Sequence, residues 1–364
     1  MNDPTAAAAQ LDPAALAPLR FPFSDVPAPG TTVEVAAGVF WLRMPLPFAL
    51  NHINLWMLRD EAGWTLVDCG LNSAATRELW EHIFAWALPQ GPVRRLIVTH
   101  YHPDHFGLAG WLTQRFGIEV WMTEGEYLSA RAFLQGLPGY CMSSSADLFA
   151  LHGLDSAQVE HQRTRGNTYR LGVGEPPAGF RRIMDGDEIG VDGRNWRVIM
   201  GYGHAPEHAA LYCGDLGVLI SGDMVLPRIS TNISVWAAQP NGDPLKLFLD
   251  SVDRYARLPA ATRVLPSHGP VFHGLQTRAR QLQEHHEQRL HALLEACARP
   301  VTAAQVLQLL FQRPLDSHQM LFAMGEAIAH LNHLMHRGNV TRETGSDGVM
   351  RFAAASESFG RIGR

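Results

Sequence analysis

Cysteine is scarce in this 364-residue chain, and long apolar runs are missing. Cys69, Cys141, Cys213 and Cys297 stand far apart with no paired spacing, so they make neither a disulfide framework nor a thiolate zinc site; buried free thiols in a reducing compartment are the expectation. No apolar stretch approaches the ~20 residues that span a bilayer. The opening MNDPTAAAAQLDPAALAPLRFPFSD lacks a basic segment, and Pro and Asp interrupt its Ala-rich run, which argues against a signal peptide. Residues 1–25 therefore read as a mobile or surface-hugging arm, and the protein as cytoplasmic and free of the membrane. An excess of positive charge is missing too. Lys+Arg 30 against Asp+Glu 35 gives a net charge of -5, a poor basis for non-specific attraction to nucleic acid. No Gly-x-Ser-x-Gly nucleophile elbow occurs, and GYGHAPEH lacks the Lys-Ser/Thr of a phosphate loop.

What is present is ample apolar material, 46 % of the chain, arranged with two different periods. Short strands alternate with helical stretches up to about residue 270: VEVAAGVFWLRM (33–44), INLWML (53–58), WTLVD (64–68), RRLIV (94–98), IEVWM (118–122), WRVIMG (196–201), HAALYC (208–213), GVLISGD (217–223) and RVLPSH (263–268). Helices are expected over Asn72–Trp86, Gly107–Phe116 and Pro244–Leu258. This mixture predicts layered sheets covered by helices. Residues 124–181 are polar and partly helical, with Gly and Ser breaks, and read as an insert or substrate cap within a catalytic unit spanning 26–274. From 275 to 364 the pattern becomes helical. Leu282, Leu290, Leu293 and Leu294 share one face, Thr302 to Gln305 forms a capping box, and a helix carrying Leu321, Met324, Ile328, Leu331 and Met335 stops at Gly338. A hairpin follows. Three helices and a hairpin give a winged-helix outline.

The densest chemistry lies in THYHPDHFG, Thr99 to Gly107. A strand places alternate side chains on one face, so His100 and His102 leave RRLIV pointing the same way. Pro103 turns the chain, and Asp104 and His105 reach back from the next turn. Imidazoles and carboxylates are ordinary zinc ligands, and two metals can share such a cluster. A His-rich surface loop is the plain alternative, but the string sits between an expected strand and an expected helix, where a site would.

The string resembles the His-x-His-x-Asp-His signature of the metallo-β-lactamase-fold hydrolases. Four further stretches resemble that family in order: Asp68 in WTLVDCGL, His204 in GYGHAPEH, Asp223 in LISGDM and His268 in LPSHGP. The resemblance covers residues 33–270. It implies an α+β, four-layer αβ/βα sandwich with two divalent cations at one edge, zinc in the first instance, with iron or manganese as alternatives. His100, His102 and His204 would hold one cation. Asp104, His105 and His268 would hold the other, and Asp223 would bridge them together with a hydroxide. Two cations about 3.5–4 Å apart activate such an oxygen and polarise the substrate, and Asp104 can orient it or accept its proton. Asp68 reads either as a group hydrogen-bonding the ligand loop or as a strand-end turn carboxylate. His208 reads as a structural histidine ahead of a spare ligand or oxyanion donor, and His52 as structural. Trp236 is a core residue before it is an acyl contact.

The family is broad, so fold does not fix substrate. A bridging aspartate is similar to the thioesterase, lactonase and nuclease branches, and the C-terminal outline resembles a branch that contains an endoribonuclease-like protein. Against nucleic acid, residues 276–364 hold ten basic and eight acidic residues, and Gln319–Gly338 has one Arg and no Lys. That helix suits packing or a homodimer contact. The expectation is therefore hydrolysis of a small ester or thioester, acyl-CoA-like; single-stranded RNA cleavage, a lactonase and a non-enzymatic scaffold are the alternatives.

Overall fold

Alternation decides the architecture, because successive strand side chains face opposite ways. The computed structural model describes residues 18–355, except residues 48, 49, 62 and 313 and the side chains of 317 and 318. Residues 1–17 of the expected arm lie outside the described residues. Residues 18–25 lie along the body: Arg20 pairs backbone to backbone with His273, and Phe23 meets Trp41 edge-on.

The first half builds β1 (Val33–Ala36), β2 (Val39–Pro45), β3 (His52–Asp60), β4 (Gly63–Val67), α1 (Ala74–Ala87), β5 (Val93–Ile97), α2 (Pro103–Phe106), α3 (Ala109–Phe116) and β6 (Val120–Met122). Then come α4 (Glu124–Gln135), α5 (Met142–Leu151), α6 (Ser156–Thr164), α7 (Tyr169–Gly172) and β7 (Arg181–Arg182). The second half builds β8 (Glu188–Val191), β9 (Arg194–Gly201), β10 (His208–Cys213), β11 (Val218–Gly222), α8 (Pro244–Ala256), β12 (Arg263–Pro266) and β13 (Phe272–His273). It ends with α9 (Leu275–Ala296), α10 (Leu307–Leu310), α11 (Ser317–His336) and the hairpin β14 (Val340–Thr344) and β15 (Met350–Ala354).

β1 to β7 form one sheet in sequence order, and β13-β12-β11-β10-β9-β8 form the second. Along β3, Trp56 and Leu58 face the second sheet, while Ile53, Leu55 and Met57 face α1 and α3. Along β11, Val218 and Ile220 face inward, while Leu219 packs outward with Phe248 of α8 and Leu282 of α9. The result is the four-layer αβ/βα sandwich, with a tryptophan-rich inter-sheet layer in which Trp41, Trp56 and Trp196 are essentially fully buried. Each such large apolar side chain contributes roughly 1.5–3 kcal/mol on burial.

Three local expectations are corrected. The run 33–44 is two strands, because Gly38 adopts φ +75 and turns the chain back on itself. The helix expected over Gly107–Phe116 is α3 preceded by the separate single turn α2, which starts with Pro103 at its first position. Cys141 is only half-buried, whereas the other three free cysteines are buried. The Thr302–Gln305 capping box forms reciprocally, Thr302 N donating to Gln305 Oε1 (2.9 Å) and Gln305 N to Thr302 Oγ1 (3.2 Å), although regular α-helix begins only at Leu307. The C-terminal helices share one apolar core with the second sheet: Leu245 and Phe248 of α8 lie in the same cluster as Leu290, Ile328 and Leu331. Among the described residues, no helix is long and apolar enough to cross a membrane.

Candidate metal centre

Strand ends bring the site together. β4 and β5 run parallel, as do β11 and β12, so their carboxyl ends emerge on the same edge of the sandwich, the place where ligands collect in such sheets. Asp68 follows β4, His100 and His102 follow β5, Asp223 follows β11, and His268 follows β12. His204 lies in the turn between β9 and β10, and Asp104 and His105 sit on α2. The two sheets are tied where they meet the site. Ala209 N donates to Thr99 O (2.9 Å), and the buried Asn54 side chain of β3 donates to Pro266 O (2.8 Å) and Gly269 O (2.7 Å) on either side of His268.

The seven residues singled out from sequence converge. Ligand-type atoms of His100, His102, His204 and Asp223 lie within 4.8 Å of one another, as do those of Asp104, His105 and His268. His100 Nε2 is 2.9 Å from His102 Nδ1 and 3.2 Å from His204 Nε2. Asp223 spans both groups. Its Oδ2 is 3.4 Å from His204 Nε2, and its Oδ1 is 3.4 Å from both His105 Nε2 and His268 Nε2. Asp104 Oδ2 lies 3.5 Å from His268 Nε2 and 3.8 Å from His105 Nε2.

Most of the imidazoles are aimed from behind. His105 Nδ1 meets Asp68 Oδ2 at 2.8 Å, His204 Nδ1 meets Asn232 O at 2.8 Å, and His268 Nδ1 meets His52 O at 2.8 Å. An acceptor at Nδ1 fixes the proton there and leaves the Nε2 lone pair facing the centre. His100 Nδ1 meets the Thr99 hydroxyl at 3.1 Å, and that hydroxyl donates to Asp68 Oδ2 (2.9 Å). Asp68 Oδ1 also accepts from Thr99 N (2.7 Å), so one buried carboxylate braces the start of the ligand loop and orients His105. His208 lies outside both groups; its Nε2 accepts from Asp223 N at 3.2 Å. His52 acts through its carbonyl, while its ring accepts from Gly269 N (2.9 Å). Trp236 packs edge-on against Phe133, 5.6 Å between centroids, as an aromatic contact between the insert and the 232–240 segment.

Several groups at the site had no advance signal. Thr99, Asn54 and Asn232 act through a hydroxyl, an amide and a main-chain carbonyl. Glu126 of α4 is fully buried and accepts from Tyr101 N (2.9 Å) and Glu207 N (2.6 Å), joining the ligand loop to the β9–β10 turn. Burial pushes its carboxyl up to about 8, against the opposing effect of these two donors.

The donor set suits cations. Burial holds His100 and His102 well below the usual histidine range, so both are neutral and present lone pairs. Burial works in the same direction on His105, but Asp68, Asp104 and Asp223 outweigh it and raise its affinity for positive charge; Asp223 and Asp104 do the same at His268. Burial would raise the Asp223 carboxyl, yet His268 and His105 hold it well below the ordinary range, as an anion. His105 Nε2 and Asp223 Oδ1 are buried and make no hydrogen bond; at 3.4 Å they are in ion-pair contact only. Nitrogen lone pairs turned toward one another around an anionic oxygen are an arrangement that positive charge relieves.

Comparison with known proteins agrees with this geometry. The profile of the metallo-beta-lactamase superfamily matches residues 50–268, and that of the metallo-beta-lactamase-like C-terminal domain matches 290–355. The crystal structure of a beta-lactamase domain protein from Burkholderia ambifaria is 50 % identical, superposes with a TM-score of 0.87, and covers 93 % of this chain and 98 % of its own. The probable metallo-hydrolase YqjP of Bacillus subtilis is 26 % identical over 314 residues, 84 % of this chain and 93 % of that protein. Human acyl-coenzyme A thioesterase MBLAC2 is 24 % identical over 197 residues, 52 % of this chain and 63 % of that protein. With its sandwich, its strand-end histidines and aspartates, and a family match over more than half its length, the chain belongs to the metallo-beta-lactamase superfamily of metallo-hydrolases.

Proposed function

We propose that this chain is a dinuclear metal-dependent hydrolase acting on a small ester or thioester of the acyl-CoA kind. The observation that carries the dinuclear reading is Asp223, whose two oxygens face different groups of imidazoles at 3.4 Å. His100, His102 and His204 would hold one cation and Asp104, His105 and His268 the other, with Asp223 shared. An all-nitrogen-and-oxygen set of this kind suits zinc, with iron and manganese next. When bound, such a pair lowers the pKa of a water between the ions and polarises the substrate carbonyl.

The protein's own share is orientation and proton handling. Asp68, the Asn232 carbonyl and the His52 carbonyl fix three ring tautomers. The Asp104 side chain, 19 % exposed against 11 % for Asp223, is the more open carboxylate of the set, and is placed to accept the proton released on attack. The likeness to a protein named as an acyl-coenzyme A thioesterase favours a thioester, and the near balance of charge in residues 276–364 disfavours RNA.

The test is direct. Protein purified without chelator should carry close to two metal ions per chain by elemental analysis. It should release thiol from at least one of a panel of acyl thioesters, and His102→Ala should abolish that release. Cleavage of labelled single-stranded RNA with no thioesterase activity would move the assignment to a phosphodiesterase; turnover unchanged in His102→Ala would remove the site.

A further inference from the structure

We infer that the C-terminal helices form part of the metal centre's support, with Glu326 of α11 as a positioning residue that acts on His204 through Asn232; the inference rests on the metal-binding reading above. His204 comes from the β9–β10 turn, but the acceptor that fixes its ring is the main-chain carbonyl of Asn232, in the irregular segment that follows Asp223. An irregular segment has no ladder of its own to hold a carbonyl in place. Here the C-terminal helices supply the anchors. Buried Arg278 of α9 donates from Nε to Leu226 O (2.6 Å) and from Nη2 to Ile229 O (2.8 Å). Thr231 Oγ1 donates to Asp223 O, tying the segment back to the bridging aspartate.

At Asn232 itself the side-chain amide donates to Glu326 Oε2 (3.4 Å), and its Oδ1 accepts from Ser234 Oγ (2.7 Å). Glu326 is buried and ion-paired with Arg289 of α9, so its carboxylate is fixed from the helix side. Val235 N then donates to Gly325 O (3.0 Å), and a side chain at 325 would press on Ser234 at 2.7 Å. Gly325 thus lets α11 lie directly on the segment. One line of contacts therefore runs Arg289, Glu326, Asn232, His204. It reaches the group of His100, His102, His204 and Asp223; the acceptors behind His105 and His268 are Asp68 and the His52 carbonyl, which the line does not touch.

The experiment measures Co2+ affinity of the chelator-treated full chain by competition with a chromophoric chelator, together with the Co2+ absorption spectrum, for Glu326→Ala, Asn232→Ala and the double variant. Removing a group that orients a metal-binding histidine typically weakens binding about 10–100-fold. Because these variants loosen the carbonyl without deleting it, each single change should raise the Kd about 3–10-fold and shift the spectrum. The double variant should be no weaker than the worse single one, since both act on one line. Additive losses, or a wild-type Kd and spectrum in both single variants, overturn the inference and leave the metal-binding reading standing. A wild-type chain that binds no Co2+ overturns both. Should Glu326→Ala fail to fold, Asn232→Ala reads the same contact from the other side, at a half-buried position.

Discussion

Replacing Asp68 with asparagine tests the tautomer argument at its strongest point. The Asp68 carboxylate is 1 % exposed and accepts from Thr99 N at 2.7 Å, Thr99 Oγ1 at 2.9 Å and His105 Nδ1 at 2.8 Å. Asparagine has the same shape and tolerates the left-handed backbone at this position, φ +61. Its oxygen can keep Thr99 N, which leaves an NH2 group facing Thr99 Oγ1 and His105 Nδ1. A donor there cannot receive the Nδ1 proton, so the favoured ring form becomes the one protonated at Nε2, with its N–H pointing at Asp223 and the lone pair turned away from the centre. Two effects follow and they are separable. Loss of charge-assisted bonds, each about 1.5–3 kcal/mol, partly recovered by the amide, should cost about 2–4 kcal/mol of stability, which a domain with about 5–15 kcal/mol survives. Metal affinity should fall about 10–100-fold, or about 1.4–2.8 kcal/mol. Urea unfolding gives the first number, Zn2+ competition titration the second, and long-range 1H–15N spectra the protonated ring nitrogen. A variant that loses stability but keeps wild-type zinc affinity would make Asp68 a turn brace and refute the argument.

Two further outcomes follow from the same region. Burial raises the Glu126 carboxyl from 4.5 to about 8. A folded-state pKa above the unfolded one means that the neutral form is favoured by folding, so its contribution is complete below pH 4.5 and is lost as pH rises through about 8. Glu126→Gln cannot ionise, so the Tm of the wild type relative to the variant should fall as pH goes from 6 to 9; parallel curves would show that Glu126 is already ionised at pH 6. Gly222 has φ +53 and a Cβ there would strike the His208 ring. Gly222→Ala should cost about 2–5 kcal/mol from backbone strain and overpacking, measured by denaturant unfolding, and a loss under 1 kcal/mol would show that His208 can move without dislodging Asp223.

How much of this could be read from sequence depends on where each contact resides. His100, His102, Asp104 and His105 stand within six positions, so their pattern survives in one dimension, and Asp223 and His268 carry a signal because each follows a short apolar strand. The sandwich was legible for the same reason: Trp56 and Leu58 alternate with Leu55 and Met57. The split of 33–44 was not, because Val35, Val39 and Trp41 keep the run apolar across the turn at Gly38. Nor were the groups behind the ligands. Asn232 and His52 contribute carbonyls, which every residue possesses, so their side chains give no hint of the role. Glu126 lies on a helix with a polar face, where a carboxylate is ordinary, and only the fold reveals that it is the one facing inward.

The distribution of these supports bears on what the C-terminal helices are for. The acceptors behind His105 and His268 belong to the first sheet and its margins: Asp68 after β4, and His52 at the start of β3. The acceptor behind His204 belongs to the irregular segment after β11, which the second sheet does not pair with. A site resting on two sheets alone would leave that imidazole oriented by unanchored backbone, and small displacements of a donor are costly to a centre whose neighbouring donor atoms lie between 2.9 Å and 3.8 Å apart. Arg278, Glu326 and Gly325 supply the missing rigidity from α9 and α11, whose Leu290 and Ile328 pack into the same core as Phe248 of α8. The shared core and the short polar line thus do complementary work: the first fixes the helices against the second sheet, and the second transmits that position to one nitrogen of one histidine.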